Sequence, residues 1–131
     1  MTDANILDYI GNTPLVDVSR LSPKSGVRIF AKLESHNPTG SIKDRVAKKM
    51  VLSAEAEGLL TPGQTIIEAS TGNTALALAM VSKQRGYRMK AVVSTRSTPG
   101  MGELLETHGV EVIWCEPQAG MKGAIDLAKK M

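Results

Sequence analysis

Asn37-Pro38-Thr39-Gly40-Ser41-Ile42-Lys43-Asp44-Arg45 is a loop that feeds a helix, and its reading decides the fold. Pro38 and Gly40 interrupt the chain, and Ser41-Ile42-Lys43-Asp44 has the Ser-x-x-acid form of a capping box. Lys43 is therefore expected in the first helical turn. A lysine there lies at the positive end of the helix dipole, which favours a neutral, nucleophilic amine able to condense with an aldehyde. By local spacing alone, an ordinary surface lysine is the competing reading, because lysines are mostly exposed.

Downstream of this loop the pattern is that of a helix from about Ile42 to Glu57, with Ile42, Val46, Met50 and Ala54 at spacing four, Ala47 and Val51 beside them, and Asp44 and Lys48 paired on the surface. Gly58 and Pro62-Gly63 stop it. Thr65-Ile66-Ile67-Glu68-Ala69 has the continuous character of a parallel strand. A second helix is predicted from Asn73 to Arg85, ended by Gly86; its Ala75 to Val81 core is apolar on every side and implies deep burial. A strand near Met89 to Val93, a helix near Pro99 to His108, a strand from Val110 to Trp114 and a helix near Met121 to Met131 continue the alternation. The last helix has Met121, Ile125 and Ala128 as its apolar stripe and Lys122, Asp126, Lys129 and Lys130 as its solvated face. Such alternation implies an α/β fold: an open parallel sheet with helices on both faces.

Upstream, residues 1–35 form a separate N-terminal segment, with 36–131 as the α/β domain. Leu15-Val16-Asp17-Val18 is a short strand candidate; Val27, Ile29, Ala31 and Leu33 alternate with Arg28, Phe30, Lys32 and Glu34 as in a strand with one buried face. Turn chemistry at Ser22 to Gly26 makes these an antiparallel pair.

At 131 residues and 42% hydrophobic content, the chain is long enough to bury a core. The net charge of +3 does not imply nucleic-acid binding, because sixteen Lys and Arg are interleaved with thirteen acids and only four residues are aromatic. Cys115 is alone, so no internal disulfide forms, and His36 and His108 are not spaced for a metal. A reducing, cytoplasmic setting fits. No stretch reaches the length needed to span a bilayer, and no basic region followed by an apolar run opens the chain; a soluble protein is expected.

Ligands of open parallel sheets sit beyond the carboxyl ends of the strands, where helix N-termini present free amides. Ser70-Thr71-Gly72-Asn73-Thr74 occupies that place. Gly72 permits close backbone approach, and the hydroxyls of Ser70, Thr71 and Thr74 suit an amino-acid carboxylate. Ser70 and Asn73 are equally suited to capping the helix, and the two roles are compatible.

Gly11-Asn12-Thr13-Pro14-Leu15-Val16, Lys32-Leu33-Glu34, Asn37 to Arg45 and Ser70 to Thr74 resemble, in order and spacing, the fold-type II pyridoxal-phosphate enzymes of the cysteine synthase and cystathionine β-synthase group. The resemblance runs from about Ile6 to the end of the chain. It implies pyridoxal 5'-phosphate as cofactor, Lys43 as the Schiff-base lysine and base for the α-proton, and Asn73 at the cofactor's ring hydroxyl. Ser70, Thr71, Gly72 and Thr74 would then hold the substrate carboxylate. The implied reaction is β-replacement in cysteine biosynthesis, with an activated serine and a sulfur nucleophile as small-molecule partners. The sequence departs from the family pattern at Ser70-Thr71, which inverts the usual order; at Ala75, where glycine is usual; and over Ser94 to Gly102. The resemblance also implies that the phosphate-binding loop and the residue facing the pyridine nitrogen lie beyond Met131. Accordingly a homodimer or a C-terminal domain partner is expected, with a catalytically inactive fragment or a small binding module as the alternative function.

Overall fold

The computed structural model describes residues 4–70, 72–95, 100–116 and 120–131. Two antiparallel strands, β1 (Leu15–Asp17) and β2 (Phe30–Lys32), pair with Val16 opposite Ala31. Helix α1 (Lys43–Ala56) follows, then β3 (Thr65–Ala69), α2 (Asn73–Arg85), β4 (Arg88–Ser94), α3 (Met101–Thr107), β5 (Glu111–Cys115) and α4 (Gly120–Ala128). The three later strands form one parallel sheet in the order β3-β4-β5. Each element lies within a few residues of its expected place. Thr71 and Pro99, named in the expectations above, lie outside the described residues.

The sheet separates two apolar layers because β4 alternates. Met89, Ala91 and Val93 face one side, where they join Ala47 and Val51 of α1 with Ala75, Leu78, Ala79 and Val81 of α2. Val92 faces the other side and meets Cys115, Ala124 and Leu127. Strand residues pointing alternately up and down thus give one strand two cores, with helices on both faces. Helix α2 is buried as its composition requires. It stops at Gly86, whose left-handed backbone (φ 79°) releases the chain toward β4.

Three expectations are corrected. The second strand is only Phe30–Lys32, and Val27 and Ile29 of its supposed buried face are exposed, with Ala31 and Leu33 half-buried. A two-stranded ribbon has no layer of its own to bury a face against. On α1, the stripe expected inward lies largely outward, with Ile42, Val46 and Met50 exposed by 51%, 42% and 49%. Ala47 and Val51 carry the packing instead. Small side chains let α1 approach α2 closely, which rotates the larger residues away. Finally, Asp44 and Lys48 do not pair: Lys48 Nζ donates to the Leu7 carbonyl at 2.8 Å, tying α1 to the short 3-10 helix Ile6–Tyr9, and Asp44 turns inward.

Candidate active site

The two helices that begin at Lys43 and Asn73 pack side by side and are held at their far ends by Glu55 of α1 and Arg85 of α2, which form a fork of 2.8 and 3.0 Å bonds. That ion pair fixes their relative direction. Glu55 lies twelve residues beyond Lys43 and Arg85 twelve beyond Asn73, so both helix starts stand about 18 Å from the fork at 1.5 Å per residue. The helices are therefore parallel and begin level. Because α2 returns antiparallel to β3, both N-termini lie at the carboxyl end of the sheet, where first-turn amides have no acceptor within their own helix.

At the α1 start, Lys43 is the first helical residue and its N–H donates to Ser41 Oγ at 3.2 Å. Ile42 holds the cap position without a side-chain cap bond. Asp44, the acid of the supposed capping box, does not reach back to Ser41; it accepts from the Thr39 N–H at 2.7 Å and from Thr39 Oγ1. This carboxylate has no exposure at all. It binds the loop before the helix, and the cap residue itself is left bare. Lys43 Nζ makes no hydrogen bond or ion pair within the described residues.

Behind that loop lies a polar knot to which the sequence assigned no role. Arg45 donates from Nε to Glu34 Oε2 at 2.8 Å and from Nη2 to Oε1 at 2.9 Å. Thr13 Oγ1 donates to Glu34 Oε1 at 2.8 Å, and Asn37 Nδ2 to Oε2 at 2.8 Å. Asn37 Oδ1 in turn accepts from the Gly11 N–H at 2.9 Å. Thr13 and Asn37 are buried. The Arg45 guanidinium, with help from Thr13 and Asn37, holds the Glu34 carboxyl down to about 2. Gly11 is required here: its φ is 93°, and a Cβ would stand 2.8 Å from Arg45 Nη1. The signal for this knot was present as Gly11 to Thr13, Glu34, Asn37 and Arg45, but no periodicity links four polar residues from three stretches.

At the α2 start, Ser70 follows β3 and is buried, Gly72 is extended (φ −167°) and Asn73 opens the helix. The cap position of α2 is held by Gly72, which has no side chain to bond the first amides. A Cβ on Gly72 would meet nothing within 4 Å, which leaves the loop open to approach. Thr74 is half-buried in the first turn of α2, and Thr71, the other carboxylate-binding candidate, is outside the described residues.

Beside α1, Met50, Ala54, Leu59, Leu60, Ile66 and Ile67 line a groove of about 210 Å³ along β3. Glu68 also lines it, and burial pushes its carboxyl up. A cavity of about 370 Å³ between Ile10 and Arg45, Lys48 and Lys49 lies on another flank of α1 and includes neither Lys43 nor Asn73. No group of three metal-ligating side chains occurs among the described residues. No helix among them is long and apolar enough to cross a membrane. An amine without a partner among the described residues and two helix N-termini at one end of a sheet suit a ligand carrying an aldehyde and anionic groups.

A family profile described as pyridoxal-phosphate dependent enzyme matches residues 6–131. Cysteine synthase B of Salmonella typhimurium is 45% identical over 93% of this chain and 40% of its own length. The crystal structure of a cysteine synthase from Entamoeba histolytica superposes with a TM-score of 0.90 at 40% identity, over 97% of this chain and 39% of that one. The O-ureido-L-serine-bound K43A mutant of an O-ureido-L-serine synthase gives 0.85 at 41% identity, over 96% and 39%. The chain spans about two-fifths of the length of these relatives.

Proposed function

The chain belongs to the pyridoxal-phosphate-dependent enzymes that include the cysteine synthases, and on that premise we propose that it carries the Lys43 half of a β-replacement site making cysteine from an activated serine and a sulfur nucleophile. The observation that carries this reading is the level, parallel placement of the α1 and α2 starts, which brings Lys43 and the Ser70 to Thr74 loop to one end of the sheet. Bound pyridoxal phosphate supplies the electron sink for a carbanion at the substrate's Cα. The remaining roles fall to this chain. Lys43 Nζ would hold the cofactor at its aldehyde carbon and, once free, would serve as the base for the substrate's Cα proton. Asn73 orients the ring, and Ser70, Thr71, Gly72 and Thr74 bind the substrate carboxylate. The overall exchange breaks the bond from Cβ to the leaving group and forms one from Cβ to sulfur. A relative whose lysine-to-alanine mutant holds an amino acid supports the assignment of Lys43.

The isolated chain turns over slowly under this reading. Ile42 and Val46, next to Lys43 on α1, are open to water, and a site that does not exclude water loses much of the strength of its electrostatic contacts. The apolar surface from Leu15 to Leu33 and the α1 stripe are the proposed contacts for a second copy or a C-terminal domain. The deciding experiment is incubation with pyridoxal phosphate, borohydride reduction and peptide mapping. One adduct at Lys43, lost in Lys43→Ala, is expected; label scattered over the surface lysines would sink the assignment.

A further inference from the structure

We propose that the Glu34–Arg45 pair is a positioning device for Lys43, an inference that rests on the reading of Lys43 as the cofactor-binding amine. The first amides of a helix have no acceptors within the helix itself, so its opening turn is held only by what the preceding loop and nearby side chains supply. In α1 that local support is long and slight: Lys43 N–H bonds Ser41 Oγ at 3.2 Å, Asp44 N–H the Ser41 carbonyl at 3.4 Å, and Ile42 adds no side-chain cap bond. What fixes it is lateral. Asp44 is bound to Thr39 on one side of Lys43, and Arg45 is locked in a fork on Glu34 on the other.

Glu34 is not a simple surface partner for that arginine. It takes bonds from Arg45 Nε and Nη2, from Thr13 and from Asn37, which fills both carboxylate oxygens. Asn37 also grips the Gly11 amide, and Lys32 Nζ donates to the Thr13 carbonyl, so three segments before α1 converge on one side chain of its first turn. The geometry of a planar fork matters here more than charge, since only a guanidinium offers two parallel donors to one carboxylate. Lys43 contributes nothing to the knot. Its neighbours are anchored and its own amine is left free, which is the arrangement that fixes a nucleophile's origin without blocking it.

Arg45→Lys keeps the charge and removes the fork; Glu34→Gln keeps the shape and removes the charge. Each 131-residue variant would be titrated with pyridoxal phosphate and trapped with borohydride, separating the half-saturating concentration from the limiting capture rate at Lys43. Hydrogen exchange of the Ser41 to Val46 amides would be read beside that of α2 and β4. The expected result is a limiting rate at least tenfold below wild type in both variants, half-saturation within threefold, and exchange at least tenfold faster at Ser41 to Val46 only. Wild-type capture rates in both variants would overturn the positioning role while leaving Lys43 as the site of attachment. Faster exchange extending through α2 and β4 would show general loosening and also overturn it. Failure of the wild-type chain to form any Lys43 adduct would remove the reading of Lys43 itself, and this inference with it.

Discussion

At Asp44 a carboxylate with no solvent exposure sits beside Lys43 and satisfies both the amide and the hydroxyl of Thr39. Replacing it with alanine leaves the part-buried Thr39 N–H without its partner, a loss of about 1 kcal/mol. Urea unfolding of Asp44→Ala should show that deficit, and Asp44→Asn, which keeps one acceptor oxygen, a smaller one; equal midpoints for all three chains would contradict the role. Glu34 sets a pH dependence. Its carboxyl ionises near 2 in the fold against an ordinary 4.5, so the folded state favours the charged form. That contribution is complete above pH 4.5 and is lost as the pH falls toward 2. The unfolding midpoint should therefore drop across this window and drop less in Glu34→Gln; parallel curves would rule Glu34 out as a source. Lys43 was legible as a first-turn lysine from Ser41 and Gly40 alone. The inward turn of Asp44 was not, because a Ser-x-x-acid spacing describes a cap without saying which backbone amide the acid will meet.

Among the elements, α3 meets β5 where Gly102 faces Trp114. A Cβ on Gly102 would stand 2.4 Å from Cζ2 of Trp114, so the glycine makes room for the indole on the α3 surface. Gly102→Ala should displace Trp114, at a cost of about 1–3 kcal/mol for overpacking. Trp114 is the only tryptophan, so its fluorescence reports the displacement directly. Gly102→Ala combined with Trp114→Val should recover most of the lost stability, and additive losses would show that the two do not touch. Helix α2 was readable throughout, since an all-apolar run followed by glycine has one solution in a layered fold. Helix α1 was read with its apolar face centred on Ile42, Val46 and Met50, whereas burial centres on Ala47 and Val51 at that face's edge. Its Ile42, Val46 and Met50 periodicity is real, but the contact went to Ala47 and Val51, whose small size allows close approach to Ala75 and Leu78.

For the whole molecule, the exposed side chains Leu15, Leu21, Val27, Ile29 and Phe30 on the N-terminal ribbon and Ile42, Val46 and Met50 on α1 leave large apolar groups in water. Covering them is worth about 1.5 kcal/mol or more for each fully buried side chain, opposed by the entropy of association. Sedimentation over a concentration series should therefore show self-association, and Ile29→Lys with Val46→Lys should shift the chain toward monomer. A strictly monomeric wild type would remove this surface as an interface. Cysteine formation from acetylserine and sulfide should be far slower than in a full-length relative, with a Lys43→Ala chain as control for contaminating enzyme. Comparable rates would show that an open flank beside Lys43 does not limit the reaction.

The alternation of strands and helices, the burial of α2, the stop at Gly86 and the place of Lys43 at a helix start were all determined by the sequence itself. Each follows from local periodicity and turn chemistry, which act over a few residues and need no knowledge of distant neighbours. Tertiary structure alone decided the level start of α1 and α2, the exposure of the Ile42 to Met50 stripe, and the closure of Thr13, Glu34, Asn37 and Arg45 into one knot. Those depend on distances between segments up to 32 residues apart in the chain. Such distances are set by how helices pack and which side chains leave room, and no spacing along a single stretch encodes them.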